Sequence, residues 1–245
     1  MGLVVRAWQG DVLLVGINRP DKRNALDEQT VDELHAAFDE VRNRPCVVVV
    51  HSTTPGMFVA GADIAELIER NADDALRAIN AGLFDRIEAH RWPTIAAVDG
   101  AALGGGCELA MACDLRIATT RAKFGQPELG LGILAGAGGN WRLAQLIGLG
   151  AARRLLYTGE IIDGATALGL GLADQVVQPD EVLNTATTVA GGIARKSWRA
   201  LELTKLALRL HRPATTTFDV AAQALLFEGE DKRQRMGEFL ARRRR

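Results

Sequence analysis

The run Ala97-Val98-Asp99-Gly100-Ala101-Ala102-Leu103-Gly104-Gly105-Gly106-Cys107-Glu108-Leu109-Ala110 changes character twice along its length. It extends an apolar strand, Thr94 to Val98, that follows Pro93, and Asp99-Gly100 is a turn signal. Three consecutive glycines then lead into a helix expected from about Gly106 to Ala112. A strand that passes through glycine into a helix is a building unit of an α/β fold. Glycine at that junction allows close backbone approach, and the N–H groups at the start of the helix are free to face a ligand oxygen.

The same alternation extends in both directions. Towards the N-terminus, Val4 to Trp8 and Val12 to Asn18 read as strands of a hairpin across Gln9-Gly10-Asp11. Arg19 to Asn24 is a polar loop, and Asp27 caps a helix reaching about Val41, with Val31, Leu34 and Phe38 on one face. Cys46 to His51 is a buried strand, Ser52 to Gly56 a turn, Asp63 to Arg70 a short helix and Asp73 to Ala89 a longer one. Towards the C-terminus come a strand at Leu115 to Ala118, helices over Asn140 to Ile147, Gly150 to Leu156 and Asp163 to Leu168, and a last strand near Asp174 to Val177. Everything beyond Pro179 reads as helical. Leu201, Leu203, Leu206, Leu208 and Leu210, then Phe218, Val220 and Leu225, exceed what one narrow helix face needs. Burial within the chain and packing against another subunit both fit that excess.

The chain has 245 residues, 48% of them hydrophobic, and a formal net charge of -1. One globular unit is expected, and the charge gives no electrostatic case for nucleic acid. The basic run Arg242 to Arg245 reads as a solvated tail, an anion contact or a partner surface. Cys46, Cys107 and Cys113 are odd in number and unpaired in spacing, so reduced thiols are expected, with Cys107 a small buried residue rather than a nucleophile. His35, His51, His90 and His211 have no metal-ligand spacing, so no metal is expected. The N-terminus has no basic segment followed by an apolar one, and no stretch reaches about 18 uninterrupted apolar residues. A soluble cytoplasmic protein without membrane insertion is the expectation.

The glycine runs are not nucleotide motifs. Gly136-Ala137-Gly138-Gly139-Asn140-Trp141 fails the dinucleotide spacing at its last position, and no glycine run leads into Lys-Ser or Lys-Thr. Ala60-Gly61-Ala62-Asp63 and Gly104-Gly105-Gly106 instead offer two sets of backbone N–H groups, which together could form an oxyanion hole. Glu108 lies in the second of these segments, and Glu128 lies in Phe124-Gly125-Gln126-Pro127-Glu128-Leu129-Gly130. A pair of carboxyl groups held in this way suits acid–base chemistry on a bound carbonyl compound.

As a set, Phe58-Val59-Ala60-Gly61-Ala62-Asp63-Ile64, the run from Ala97 to Ala110, Phe124 to Gly132 and Gly136 to Gly139 resemble the enoyl-CoA hydratase/isomerase (crotonase) family. The resemblance spans essentially the whole chain, from Asn18-Arg19-Pro20 to the final helices. It implies a spiral of ββα repeats over residues 1–195 holding an acyl-CoA site, and a helical oligomerisation region over residues 196–245 that builds trimers, commonly paired into hexamers. By the same resemblance the oxyanion donors fall on Ala62 and Gly105, and the coenzyme A loop on Lys22 to Leu26, including Arg23 and Ala25. Ala60, Gly61, Asp63, Ile64 and Gly136 fall along the substrate path, and Arg242 is the nearest match to a basic residue reaching the phosphates of a neighbouring subunit's ligand. Coenzyme A enters as part of the substrate, and no other cofactor is implied.

Hydratases of the family resemble this chain in carrying Glu at both positions, here Glu108 and Glu128, so reversible hydration of a 2-enoyl-CoA is the expected reaction. Double-bond isomerisation, another crotonase-type reaction and a non-catalytic acyl-CoA-binding or scaffolding protein are the alternatives. The chain departs from the family at Ala135, where hydratases often have Pro, and at Asn140 and Trp141. These changes bear on substrate shape, with Trp141 read either as a surface or interface residue or as part of the acyl pocket.

Overall fold

The computed structural model describes residues 2–209 and 216–242. Leu210, His211, Arg212, Arg243, Arg244 and Arg245, together with the side chains of Phe218 and Leu225, lie outside what is described. The strands are β1 (Val4–Gln9), β2 (Val12–Ile17), β3 (Val47–Ser52), β4 (Thr94–Val98), β5 (Ala101–Leu103), β6 (Leu115–Thr119), β7 (Lys123–Gly125), β8 (Ile162–Asp163) and β9 (Gln175–Val177). The helices are α1 (Glu28–Glu40), α2 (Ile64–Leu67), α3 (Ala72–Leu76), α4 (Ile79–Ala89), α5 (Gly105–Ala112), α6 (Gly139–Thr158), α7 (Gly164–Leu170), α8 (Val182–Ala194), α9 (Trp198–Arg209), α10 (Thr216–Phe227) and α11 (Glu230–Arg242).

A six-stranded sheet runs in the order β1-β2-β3-β4-β6-β9, antiparallel only at the β1–β2 hairpin. Its central strands are covered on both faces, which is why β3 reads as an unbroken valine run rather than an alternation. Val48, Val50, Ala96 and Val98 face the core shared with Val31, Leu34 and Phe38 of α1, whereas Val47, Val49, Ile95 and Ala97 face Val182, Ala186 and Ala190 of α8. Asp27 caps α1 as its sequence implies, accepting from the Thr30 amide at 2.8 Å.

A second, smaller sheet is ordered β5-β7-β8, and the parallel bridge Val59–Ala102 extends it beyond β5, with a further parallel bridge at Leu26–Ala62. Successive turns of chain therefore supply a strand to the large sheet, a short extended piece to the small one, and then a helix. This is the ββα spiral expected from the resemblance. The short strands escape sequence reading because each is only two or three residues long and β5 adjoins the glycine run.

Two helices differ from expectation. The segment Asp73 to Ala89 is not one helix but α3 and α4, separated at Ala78, whose φ is +51°. An Asn71–Asp74 capping box closes the start of α3, and the apolar period runs unbroken across the interruption, so periodicity does not reveal it. The short helix expected over Asp63 to Arg70 is regular only from Ile64 to Leu67. In α6, Gly148 (φ +76°) kinks the chain between the two helices expected there. At the C-terminal end, α10 packs on α3 and α11 on α2. Phe227 and Met236 join Leu67, Ala75 and Ile133 in one buried cluster, while Leu203, Leu206 and Leu208 of α9 stand exposed.

Candidate active site

The loop before α2 is held from both sides. Val59 donates to Ala101 O at 3.0 Å and accepts from the Leu103 amide at 3.3 Å. On the other side, Leu26 donates to Gly61 O at 2.8 Å and accepts from the Asp63 amide at 3.0 Å. In a parallel bridge of this kind the residue between those two partners turns its own N–H away, so the Ala62 amide faces away from Leu26. Gly61 (φ +118°) and Gly104 (φ +52°, ψ -122°) adopt conformations open chiefly to glycine. A Cβ on Gly106 would overlap the carbonyl oxygen of Val59, so close contact between α5 and this loop requires glycine there as well. A Cβ on Gly105 would lie 3.4 Å from Ala62 N. The Ala62 and Gly105 amides thus border one space, and the Gly105 amide, at the first position of α5, has no acceptor within its own helix.

Glu108 projects from the first turn of α5 and is 3% exposed. Its Oε1 accepts from the amides of Ala137 at 2.8 Å and Gly139 at 2.9 Å, an arrangement complementary to a carboxylate oxygen. Glu128 opens a short 3₁₀ turn (Glu128–Leu131) and is 8% exposed. Assigning the Gln126 amide so that its nitrogen faces Glu128 gives donor distances of 2.9 and 3.2 Å to the two carboxyl oxygens. Burial, and then the charge of Glu108, push the Glu128 carboxyl well above the usual range. The pair therefore favours a state in which Glu128 holds a proton. Burial also raises all three thiols, Cys46 and Cys113 to about 12 and Cys107 further, which leaves no reactive thiolate.

Ala60, Gly61, Ala62, Ile64, Gly105, Glu108, Glu128 and Gly136 all line one solvent-open cleft. Leu67, Ala75, Ile133 and Phe227 supply its apolar wall. The other sequence-derived residues lie outside that lining. Asp63 caps α2 through Ala65 N at 3.0 Å and pairs with Arg19 at 2.9 Å; Leu26 is fully buried; Ala25 is half-buried; Lys22 and Arg23 are exposed. Arg242 ends α11, exposed, with Glu238 at 4.0 Å. Trp141 is buried beside the Arg142 guanidinium and lines a separate groove with α9, so it does not form the wall of this cleft. Among the described residues no group of three His, Cys, Asp or Glu is placed to hold a metal ion, and no helix is long and apolar enough to cross a membrane.

Three residues at the site have no sequence signal of their own. Gln126 lies within the quoted Phe124 to Gly130 run, but its contact with Glu128 depends on the turn. Asn80 reaches the cleft because of the break at Ala78. Arg142, 3% exposed, binds Asp85 at 2.9 Å and Glu88 at 2.7 Å and donates to Ala137 O at 2.7 Å, which fixes the loop that holds Glu108.

Residues 8–244 match the family described as enoyl-CoA hydratase/isomerase. The chain is 40% identical to the short-chain-enoyl-CoA hydratase of Clostridium acetobutylicum over 98% of its length and 95% of that protein's. It is 43% identical to the crotonyl-CoA hydratase of Syntrophomonas wolfei, over 93% of this chain and 91% of the relative. Among solved structures, the enoyl-CoA hydratase of Bacillus anthracis superposes with a TM-score of 0.82 at 30% identity, covering 98% of this chain and 96% of that one. With its spiral fold and full-length match, this chain belongs to the enoyl-CoA hydratase/isomerase family.

Proposed function

We propose that the protein is an enoyl-CoA hydratase that adds water reversibly to a trans-2-enoyl-CoA, giving the 3-hydroxyacyl thioester, within acyl-CoA degradation. The observation that carries this reading is the pair Glu108 and Glu128, both buried and both lining the cleft that Ala62 and Gly105 border. Water attacking C3 pushes the C2–C3 π electrons onto the thioester, and the charge gathers on its oxygen. The Ala62 and Gly105 amides are placed to receive that oxygen, each worth about 3 kcal/mol by comparison with other oxyanion donors. Glu108, as the carboxylate, takes the proton from water while the C3–O bond forms. Glu128 gives its proton to C2, and proton exchange between the two carboxyls restores the starting state. The reaction moves protons and one water molecule, so the named side chains supply all the chemistry it requires.

In the same reading Lys22 to Leu26 and Ala60 to Ile64 guide the coenzyme A portion, and Gly136 lies beside the acyl group. Arg242 serves a neighbouring subunit in a homotrimer or a dimer of trimers. Exposed Leu203, Leu206 and Leu208 on α9 support self-association, and sedimentation would give its order. The three buried thiols fit a reducing compartment, and we place the protein in the cytoplasm. A panel of straight and branched enoyl-CoA substrates, followed by loss of conjugated thioester absorbance, tests the reaction and ranks the acyl groups. Turnover of none of them would end the hydratase reading.

A further inference from the structure

The break at Ala78 turns the start of α4 so that Asn80 lines the cleft beside the glycine loop. The space that a Cβ on Gly105 would occupy is empty because the residue is glycine. Two nitrogens border that space besides Gly105's own amide: Ala62 N at 3.4 Å and Asn80 Nδ2 at 3.7 Å. Asn80 Oδ1 points the other way, buried and without a hydrogen-bond partner among the described residues. Leaving an amide oxygen unsatisfied costs stability, so the side chain is not held in place by its own hydrogen bonds. Its nitrogen lies at the space that the Ala62 and Gly105 amides border.

We propose that Asn80 Nδ2 is a third hydrogen-bond donor to the thioester oxygen of the bound substrate, completing the pair formed by Ala62 and Gly105. The proposal rests on the acyl-CoA hydration reading for the identity of that oxygen. A bound oxygen also selects the orientation of the amide, because reversing it would set an acceptor against developing negative charge. A backbone donor has fixed strength, whereas a side-chain donor reached through the Ala78 break can be lost or exchanged without disturbing the loop that carries the other two. Asn80 would therefore set how strongly the enolate is stabilised, and would act on kcat more than on KM, since the oxygen carries most charge in the transition state.

The test compares wild type with Asn80→Leu, which keeps size and removes the donor, and Asn80→Asp, which sets a carboxylate beside the oxygen. Each is assayed with crotonyl-CoA, and by the absorption of bound para-dimethylaminocinnamoyl-CoA, whose band moves to the red as charge is drawn to the carbonyl oxygen. The expected result is a fall in kcat of about 100-fold for Asn80→Leu with KM little changed, a deeper fall for Asn80→Asp, and a smaller red shift in both. Wild-type kcat and red shift in Asn80→Leu would overturn the proposal. So would equal losses in the two variants with the wild-type red shift retained, which would indicate a packing role. If wild type itself leaves crotonyl-CoA unchanged, the hydration reading fails, yet an Asn80-dependent red shift would still establish the donor.

Discussion

Arg142 donates from Nη1 to the carbonyl oxygen of Ala137 at 2.7 Å, and the amide of Ala137 in turn donates to Glu108 at 2.8 Å. A buried cation is thus linked to the carboxyl group through Ala137. Asp85 and Glu88 balance that cation from α4, so helix, loop and carboxyl form one connected unit.

Replacing Arg142 with Met removes the cation from between two acidic groups and frees the Ala137 peptide. We expect a loss of about 3 kcal/mol in unfolding free energy, as for other broken buried ion pairs. A fall in kcat measured well below the unfolding temperature should accompany it. Arg142→Lys, a point charge without the planar fork, should recover part of the stability and little of the activity. Full activity in Arg142→Met would show that Glu108 is held without this chain of contacts.

Glu108→Gln and Glu128→Gln keep size and remove one proton-transfer group each. Each should lower kcat by about 100-fold or more, as expected for general acid–base groups. Steady-state kinetics of either variant matching wild type would remove that residue from the reaction.

The raised carboxyl of Glu128 carries a stability cost with a definite sign. Its proton is held more tightly in the folded state than in the unfolded one, where the usual carboxyl value is about 4.3. Its contribution to stability is therefore full below that value and lost as pH rises through the folded pKa. Glu128→Gln, which cannot ionise, should gain thermal stability relative to wild type as pH increases across that window, while its activity stays low. Thermal melts of both proteins at pH values spanning the window check this, and a gap that is constant with pH would contradict it. Activity of the wild type should fall on the alkaline side as Glu128 loses its proton.

Gly105 and Gly106 are neighbours that need glycine for different reasons. A Cβ on Gly106 would run into the Val59 carbonyl, so Gly106→Ala should destabilise the fold by about 3 kcal/mol or more. A Cβ on Gly105 meets nothing closer than 3.4 Å, so Gly105→Val should cost the fold less than Gly106→Ala does. Its methyl groups would occupy the space bordered by Ala62 N, and turnover should be lost. Normal kinetics in Gly105→Val would discredit the proposed oxyanion site.

Features that depend on local chemistry were legible in the sequence. The Asp27 cap, the Gly10 hairpin, the valine strand β3 and the kink between the two halves of α6 all follow from residue type and period. The glycine loops and the two glutamates stood out as a set, and the structure brings Ala62, Gly105, Glu108 and Glu128 to one cleft. Features that depend on the meeting of distant segments did not show. The break at Ala78 leaves the apolar period intact, and β5, β7 and β8 are too short to carry a pattern. Asn80, Gln126 and Arg142 are ordinary polar residues until folding sets them beside Gly105, Glu128 and Ala137. Trp141, which sequence left between an interface and the acyl pocket, lies in a groove away from the cleft because α6 turns it towards α9.

Whether Glu108 and Glu128 together add water across a 2-enoyl thioester is decided by incubating wild type and the two Gln variants with crotonyl-CoA in heavy-oxygen water. Wild type should form 3-hydroxybutyryl-CoA carrying the heavy oxygen at C3, with loss of the conjugated thioester absorbance, and both variants should form it at least about 100-fold more slowly. An unchanged substrate with wild type, or labelled product formed at the wild-type rate by either variant, would contradict that joint role.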